Sequence, residues 1–410
     1  MFTNLNQIRL GIINPLPSVR DEHGQIWVNR PIGRLLEELR RHLPKTLLCT
    51  PIVREFNASV NHKLNFPNDA LVPLPPLESV IKAQKYYFPT RRALRGFAAS
   101  VDALFMRLPF QLPSLLRNLG RPKLLHVVGN TREVVALSSD YQGAVKWAAR
   151  GFAWFSEYQT KRLVREPNTR VATNGTEMWH KLGCRDGRVV VSSCLYQGEM
   201  EPRESPTLND PPRILFVGYL RPEKGVLTLL DAFDELHAKR PLQLTLVGGM
   251  DRHSNAERIV RERIDNSSYR ADISMTGMVD FGPRLFSLYR EHDLCIVPSL
   301  SEGTPRTVVE AQSFGCPVIA SRVGGIPDSV THERTGLLFE PGNARELARS
   351  MSRVLDDEPL RGTLMIEGFR TAKQHSVEKF AVELVTEVAA LFGLPGPSCD
   401  QATQTALTGN

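Results

Sequence analysis

The sequence predicts an α/β protein of two Rossmann-like parallel-sheet domains. Three observations carry this reading. The chain has 410 residues, more than one hydrophobic core ordinarily organises. Short apolar runs alternate with helical patterns along both halves, as expected of parallel strands with covered faces. Between the halves runs Glu199-Met-Glu-Pro-Arg-Glu-Ser-Pro-Thr-Leu-Asn-Asp-Pro-Pro212, a polar, aperiodic stretch with four prolines that reads as a linker.

In the first half, strands are expected at Arg9–Pro15, Thr46–Arg54, Asp102–Arg107, Lys123–Gly129, Gly151–Ser156 and Arg170–Thr173. Helical patterns cover Pro31–His42, Ser79–Ser100, Ser114–Leu119 and Glu157–Arg165. The second half is cleaner. Its strands are expected at Arg213–Gly218, Gln243–Gly249, Asp272–Val279, Asp293–Ser299, Pro317–Arg322 and Gly336–Phe339, with helices at Val226–Lys239, Ser254–Ile264 and Arg306–Phe314. Near the end, Ser376–Phe392 is strongly helical, with Phe380, Leu384, Val388 and Leu391 on one stripe. The first domain therefore spans 1–200, the linker 201–212 and the second domain 213–375; 376–392 is a separate helix and 393–410 a polar tail expected to be disordered.

Composition narrows the class. A hydrophobic share of 41% and a charged share of 23% suit a folded soluble protein. No apolar run reaches the roughly 18 residues of a membrane span. The first residues lack the basic, apolar, small-residue order of a secretory leader, so a cytoplasmic location is expected. Six cysteines (Cys49, Cys184, Cys194, Cys295, Cys316 and Cys399) are scattered and read as small buried hydrophobes of a reducing compartment. Ten histidines show no metal-ligand spacing, and no metal site is expected.

The net charge is +7, with Arg91, Arg92, Arg95, Arg107, Arg117, Arg121 and Lys123 set against Asp102 alone. Three readings compete for this run: an ordinary solvated face, a surface that docks on anionic lipid headgroups, and a nucleic-acid patch. No nucleic-acid module motif supports the third.

Two segments of the second half carry chemistry. Glu302 and Glu310 lie in Ser-Glu-Gly-Thr-Pro-Arg-Thr-Val-Val-Glu, directly after the apolar run ending at Ser299. Thr304 is expected to cap the next helix, with Pro305 in its first turn and Gly315 ending it. One carboxylate then sits beyond a strand's carboxyl end and the other about a turn and a half into the following helix. Ligands of open parallel sheets bind in that crevice; the helix start attracts phosphate and a carboxylate attracts paired sugar hydroxyls. The second segment, Val217-Gly-Tyr-Leu-Arg-Pro-Glu-Lys-Gly225, follows the domain's first strand. Gly218 allows a sharp turn and close ligand approach, while Arg221 and Lys224 put positive charge where a diphosphate would sit.

These segments resemble the retaining glycosyltransferases of the group 1 family, which have the GT-B fold. The resemblance rests on the Glu-Lys-Gly turn, the Glu-x7-Glu segment, Glu310-Ala-Gln-Ser-Phe-Gly-Cys-Pro-Val318, Val323-Gly-Gly-Ile-Pro-Asp328 and Thr335-Gly-Leu-Leu-Phe339. It is strong over residues 212–345 and weak across the first half. It implies that Glu310 holds the ribose diol and that Glu302 contacts the donor sugar's hydroxyls. Backbone at Gly303 and Thr304 would surround sugar and phosphate, with Pro305 shaping that loop. Lys224 would pair with the diphosphate, and Gly277-Met278-Val279 would lie against the nucleobase. The late helix would cross back onto the first domain. The family often has arginine where this chain has Tyr219; Arg221 is then the candidate for the second diphosphate contact.

In the first domain the resemblance singles out the loop Asp21-Glu-His-Gly24, whose Gly24 would approach the donor phosphate. The family often places a histidine near the end of the strand Lys123–Gly129, close to the reacting carbon; this chain has Asn130 at that end, a candidate polar group of the active site. His126 lies inside the apolar run and reads as a core histidine. Arg132, Glu133 and Ser138 to Tyr141 are candidates for lining an acceptor site.

The implied activity is retaining transfer of a sugar from a nucleotide-diphosphate donor to a lipid-linked saccharide or growing polysaccharide. The departing diphosphate would accept the acceptor's proton, so Glu302, Lys224, Arg221 and Asn130 are the candidate catalytic residues. No cofactor is implied beyond the nucleotide sugar, and the expected location is cytoplasmic or peripheral on the inner membrane face. Rival readings are an epimerase-like or phosphorylase-like enzyme on the same architecture, and a non-catalytic nucleotide-sugar-binding protein.

Overall fold

A computed structural model describes residues 2–53, 60–77, 79–137, 143–249 and 255–397. Ser138 to Tyr141 and most of the expected tail fall outside them. The chain divides into two compact units. The first comprises Met1–Thr131, Trp154–Cys194 and Val377–Asn410; the second comprises Arg132–Ala153 and Leu195–Ser376.

The first unit is built on strands β1 (Leu10–Ile13), β2 (Ser18–Arg20), β3 (Ile26–Val28), β4 (Leu47–Val53), β5 (His62–Lys63), β6 (Leu71–Leu74), β7 (Ala103–Leu108), β8 (Lys123–Val127), β9 (Thr169–Asn174) and β10 (Gly187–Val190). Among the described residues they form one sheet in the order β10-β9-β8-β7-β1-β4-β2-β3-β5, with β6 also paired to β4. Every pairing from β10 through β1 to β4 is parallel, and β3 runs antiparallel to β2 and β5. Leu94, Phe97 and Ala98 of the Tyr87–Ala99 helix pack with Leu104, Met106, Leu125 and Val127. The Val377–Ala390 helix belongs to this unit. Its buried Glu387 takes the Nε–H groups of Arg170 (2.5 Å) and Arg188 (2.7 Å) from β9 and β10.

Three expectations fail here. Gly151–Ser156 is not a strand but the middle of the Gly143–Val164 helix. Its aromatic content imitates a strand, yet the buried positions Ala153, Ser156, Gln159 and Leu163 recur every three or four residues while Trp154 and Tyr158 face outward. The Ser79–Ser100 helix breaks into Val80–Gln84 and Tyr87–Ala99. Pro89 falls in the first turn of the second piece, where its missing N–H leaves no helical bond unmade. Ser114–Leu119 shrinks to the single 3-10 turn Pro113–Leu116.

In the second unit, β11 (Arg213–Val217), β12 (Gln243–Val247), β13 (Ile273–Gly277), β14 (Leu294–Val297), β15 (Val318–Ser321) and β16 (Leu337–Phe339) form a parallel sheet in the order β13-β12-β11-β14-β15-β16. Successive residues alternate between two cores. Ile214, Phe216, Leu244, Leu294, Ile296 and Ile319 join one core with Leu229, Leu230 and Phe233. Leu215, Val247, Cys295, Val297, Val318 and Ala320 join the other with Tyr289, Val308 and Phe314. Both faces are covered at β14, β15 and β16, which are buried throughout, while the edge strand β13 is mostly exposed.

The stretch expected to be a linker is strapped to the second unit. Fully buried Asp293 accepts from the Arg203 guanidinium (3.3 Å), from Asn209 and from the Arg213 amide (2.8 Å), and Arg361 donates to the Pro206 carbonyl (2.6 Å). The division between units falls earlier, at Cys194.

Candidate active site

Chain order dictates where a site can form in the second unit. From β11 the chain moves outward through β12 to β13, then returns to the other side of β11 as β14, β15 and β16. The reversal point lies between β11 and β14, and loops leaving their carboxyl ends diverge to open a crevice. The loop after β11 carries Gly218 to Gly225; the loop after β14 carries Pro298 to Pro305.

These loops are held together by backbone. The Leu300 amide donates to the Glu223 carbonyl at 2.7 Å, and Ser321 Oγ donates to the Ser299 carbonyl at 2.5 Å. On the far side, the Gly218 amide bonds the Val247 carbonyl and the Gly248 amide bonds the Gly277 carbonyl, each at 2.9 Å. Gly225 makes a close backbone contact between the two loops. Its φ is +67°, and a Cβ there would stand 1.8 Å from the Pro298 carbonyl oxygen. Gly324 backs the Glu302 carbonyl with the same 1.8 Å clearance. Only glycine permits either contact.

Within this frame Lys224 Nζ donates to Glu302 Oε2 at 2.6 Å, both side chains partly buried. The two residues, 78 apart in sequence, thus come together at the reversal point. Arg221 diverges from them: its half-exposed guanidinium lies over the Tyr219 ring, 4.8 Å from its centroid, and 4.0 Å from buried Glu223. Gly277 ends β13, and exposed Met278 rests against Gly249.

The Arg306–Ser313 helix starts without the expected cap. Pro305 occupies the cap position with extended backbone, no side-chain cap bond forms, and Thr304 is buried one residue earlier. Proline cannot donate, so the loop is shaped by its fixed φ rather than by a hydroxyl cap. The helix carries buried Glu310, whose Oε2 accepts from Tyr289 Oη at 2.8 Å. Burial, and then the neighbouring Glu310 carboxylate, push the Tyr289 phenol well above its ordinary value, which keeps it a hydrogen-bond donor.

Sequence reasoning missed Tyr289, because one tyrosine on an amphipathic helix reads as core. It named Glu133 as a candidate for lining an acceptor site; the structure places its carboxylate 2.6 Å from Ser301 Oγ, next to Glu302. No spacing rule links residues so far apart.

In the first unit, the Asp21–Gly24 loop comes after β2. It is the tip of the β2–β3 hairpin, tied internally by the Gly24 amide to the Asp21 carbonyl (3.0 Å) and by Trp27 Nε1–H to Asp21 Oδ2 (2.8 Å). Asn130 follows β8 and lines a small cavity with Pro109, Glu157, Thr160 and Lys181. His126 is fully buried, its Nε2 3.0 Å from Asn174 Oδ1, and burial lowers its pKa to about 3. Among the described residues no group of three or more His, Cys, Asp or Glu side chains could hold a metal ion.

The comparisons agree with this geometry. Two units with parallel sheets, the second with its loops gathered at a strand-order reversal, define a GT-B protein. Over 94% of this chain the structure matches sucrose-phosphate synthase of Thermosynechococcus elongatus at a TM-score of 0.71 and 19% identity, covering 99% of that chain. Anabaena HepE, crystallised with UDP and glucose, matches at 0.67 and 16% identity, covering 94% of this chain and all of that one. Residues 211–357 match the family glycosyl transferases group 1, and the second unit carries that domain. In sequence, 36% of this chain is 32% identical to a D-inositol 3-phosphate glycosyltransferase of Pseudarthrobacter chlorophenolicus. Another 40% match is 33% identical to an uncharacterized glycosyltransferase of Methanocaldococcus jannaschii. These matches span 35% and 44% of those relatives, less than half of their length.

Proposed function

We propose that this protein is a retaining glycosyltransferase that moves a sugar from a nucleotide-diphosphate donor to a lipid-linked saccharide or growing polysaccharide. The observation that carries this reading is the Lys224–Glu302 pair at the strand-order reversal of a group 1 domain, with Glu310 on the next helix. In the proposal the donor's diphosphate competes with Glu302 for the Lys224 ammonium, freeing Glu302 to accept from sugar hydroxyls. Glu310 takes the ribose diol. The bond from the anomeric carbon to the diphosphate oxygen breaks, and the acceptor oxygen bonds to the same face of that carbon. The acceptor's proton passes to the departing phosphate oxygen. Lys224 offsets the charge that grows on the leaving group, the kind of fixed electrostatic contribution that dominates such transfers. Crystals of HepE with UDP and glucose support a nucleotide-sugar donor for this fold.

The acceptor class is read from the first unit. Residues 80–99 contain five lysines and arginines and no acid, and Ile81 and Phe88 stand 82% and 74% exposed among them. Such a mixed basic and apolar face suits an anionic membrane surface, where a lipid-linked acceptor resides. The donor half of the proposal is tested by thermal shift with UDP-, GDP- and ADP-sugars, since a bound donor raises the apparent melting temperature. One donor family should stabilise the protein by several degrees, and its nucleoside diphosphate nearly as much. No shift with any of them would remove the nucleotide-sugar reading.

A further inference from the structure

We propose that Tyr289 is a positioning residue that sets the orientation of Glu310 toward the donor's ribose, and so fixes the preference for ribonucleotides. This rests on the reading of Glu310 given above. Glu310 belongs to the Arg306–Ser313 helix and Tyr289 to the Pro283–Glu291 helix, so one hydrogen bond joins the helices that enter and leave β14. The tyrosine has no freedom to do otherwise. It is 0% exposed, its ring lies nearly parallel to Phe314 (8°, centroids 6.0 Å apart), and it is packed in the core that includes Cys295 and Cys316. Its hydroxyl is thereby delivered to Glu310 Oε2 from a fixed direction. A glutamate side chain otherwise rotates about three bonds, and its reach to a vicinal diol depends on which rotamer it holds. Anchoring one oxygen settles that rotamer before the ligand arrives, which spares binding the cost of ordering it. A buried carboxylate also needs a donor near it to offset desolvation, and the phenol supplies one without adding a competing positive charge.

The test compares wild type, Tyr289→Phe, Glu310→Ala and the double variant by titration calorimetry with UDP, GDP and ADP, and with the 2′-deoxy counterpart of each that binds. All measurements are made at a temperature where melting curves show each variant folded. Phenylalanine keeps the ring and its packing and removes only the hydroxyl. The wild type should favour the ribonucleotide. Tyr289→Phe should narrow that preference by about tenfold, the worth of one hydrogen bond to a charged group. The double variant should match Glu310→Ala alone, since the hydroxyl acts only through that carboxylate. With steady-state kinetics, KM for the donor should rise more than kcat falls. A Tyr289→Phe protein with the wild-type ribose-to-deoxyribose ratio overturns the proposal, even if its melting temperature drops. Failure of the wild type to bind any of the diphosphates overturns the parent reading, and this proposal with it.

Discussion

Lys224 Nζ pairs with Glu302 Oε2 at 2.6 Å, so the crevice presents a paired charge rather than a bare cation. In the proposed function the donor diphosphate takes the place of Glu302 beside the Lys224 ammonium, and Lys224 contributes mostly when charge builds on the leaving group. Lys224→Ala should lower kcat by on the order of 10²-fold at saturating donor, with a smaller change in donor KM. Steady-state transfer kinetics check this, and an unchanged kcat would take Lys224 out of the mechanism. These residues were legible in the sequence because each sits in a strand-loop-helix pattern with its own punctuation: Gly225 after Lys224, Pro305 after Glu302. Arg221 was less legible. The sequence places it in the right loop, but its stacking on Tyr219 depends on a side-chain preference that spacing does not encode.

At the level of elements, the second unit's strands could be read within one or two residues, most directly at β11, β14, β15 and β16, whose residues are mostly apolar and buried. The two- and three-residue strands β2, β3 and β5 could not, since so few residues show no period. Strand β8 adds a polar residue to an apolar layer. His126 lies between Phe105 of β7 and Phe380 of the Val377–Ala390 helix, with ring centroids 5.9 and 5.5 Å away. Burial first, and then the Arg107 guanidinium, bring its pKa down to about 3 from 6.5. Between those values the unfolded chain binds a proton that the folded chain refuses. The contribution is therefore complete above pH 6.5 and is lost as pH falls toward 3, at about 1.4 kcal/mol per pH unit. Burial lowers His42 and His292 as well, in the same direction. His126→Phe should shrink the stability difference between pH 7 and pH 5 by about 2 kcal/mol. Asn174 keeps its bond to Ser192 Oγ in that variant. Urea unfolding at the two pH values measures the difference, and an undiminished gap would contradict the assignment.

Taken whole, the molecule divides its chemistry unevenly. In the proposed function the donor machinery lies in the second unit, where residues 211–357 match the group 1 family in sequence. The proposed donor residues were named from punctuated strand-loop-helix segments of the second unit, whereas the two- and three-residue strands of the first unit gave no comparable pattern from which to name an acceptor site. Charge is what the first unit offers in place of a motif. No helix among the described residues is long and apolar enough to cross a membrane. The proposed surface is the outer face of the Tyr87–Ala99 helix with the turn before it: Ile81, Lys85, Phe88, Arg91, Arg92 and Arg95, all exposed and opposite buried Thr90, Leu94 and Phe97. Flotation with phosphatidylglycerol vesicles should carry the protein upward, and phosphatidylcholine vesicles should leave it behind. Each cation near an anionic surface contributes about 1 kcal/mol, so Arg91→Ala with Arg92→Ala should weaken partitioning roughly thirtyfold. Raising the salt should act in the same direction. Equal partitioning into the two lipids would leave the arginines as plain solvated surface and move the proposed acceptor off the membrane.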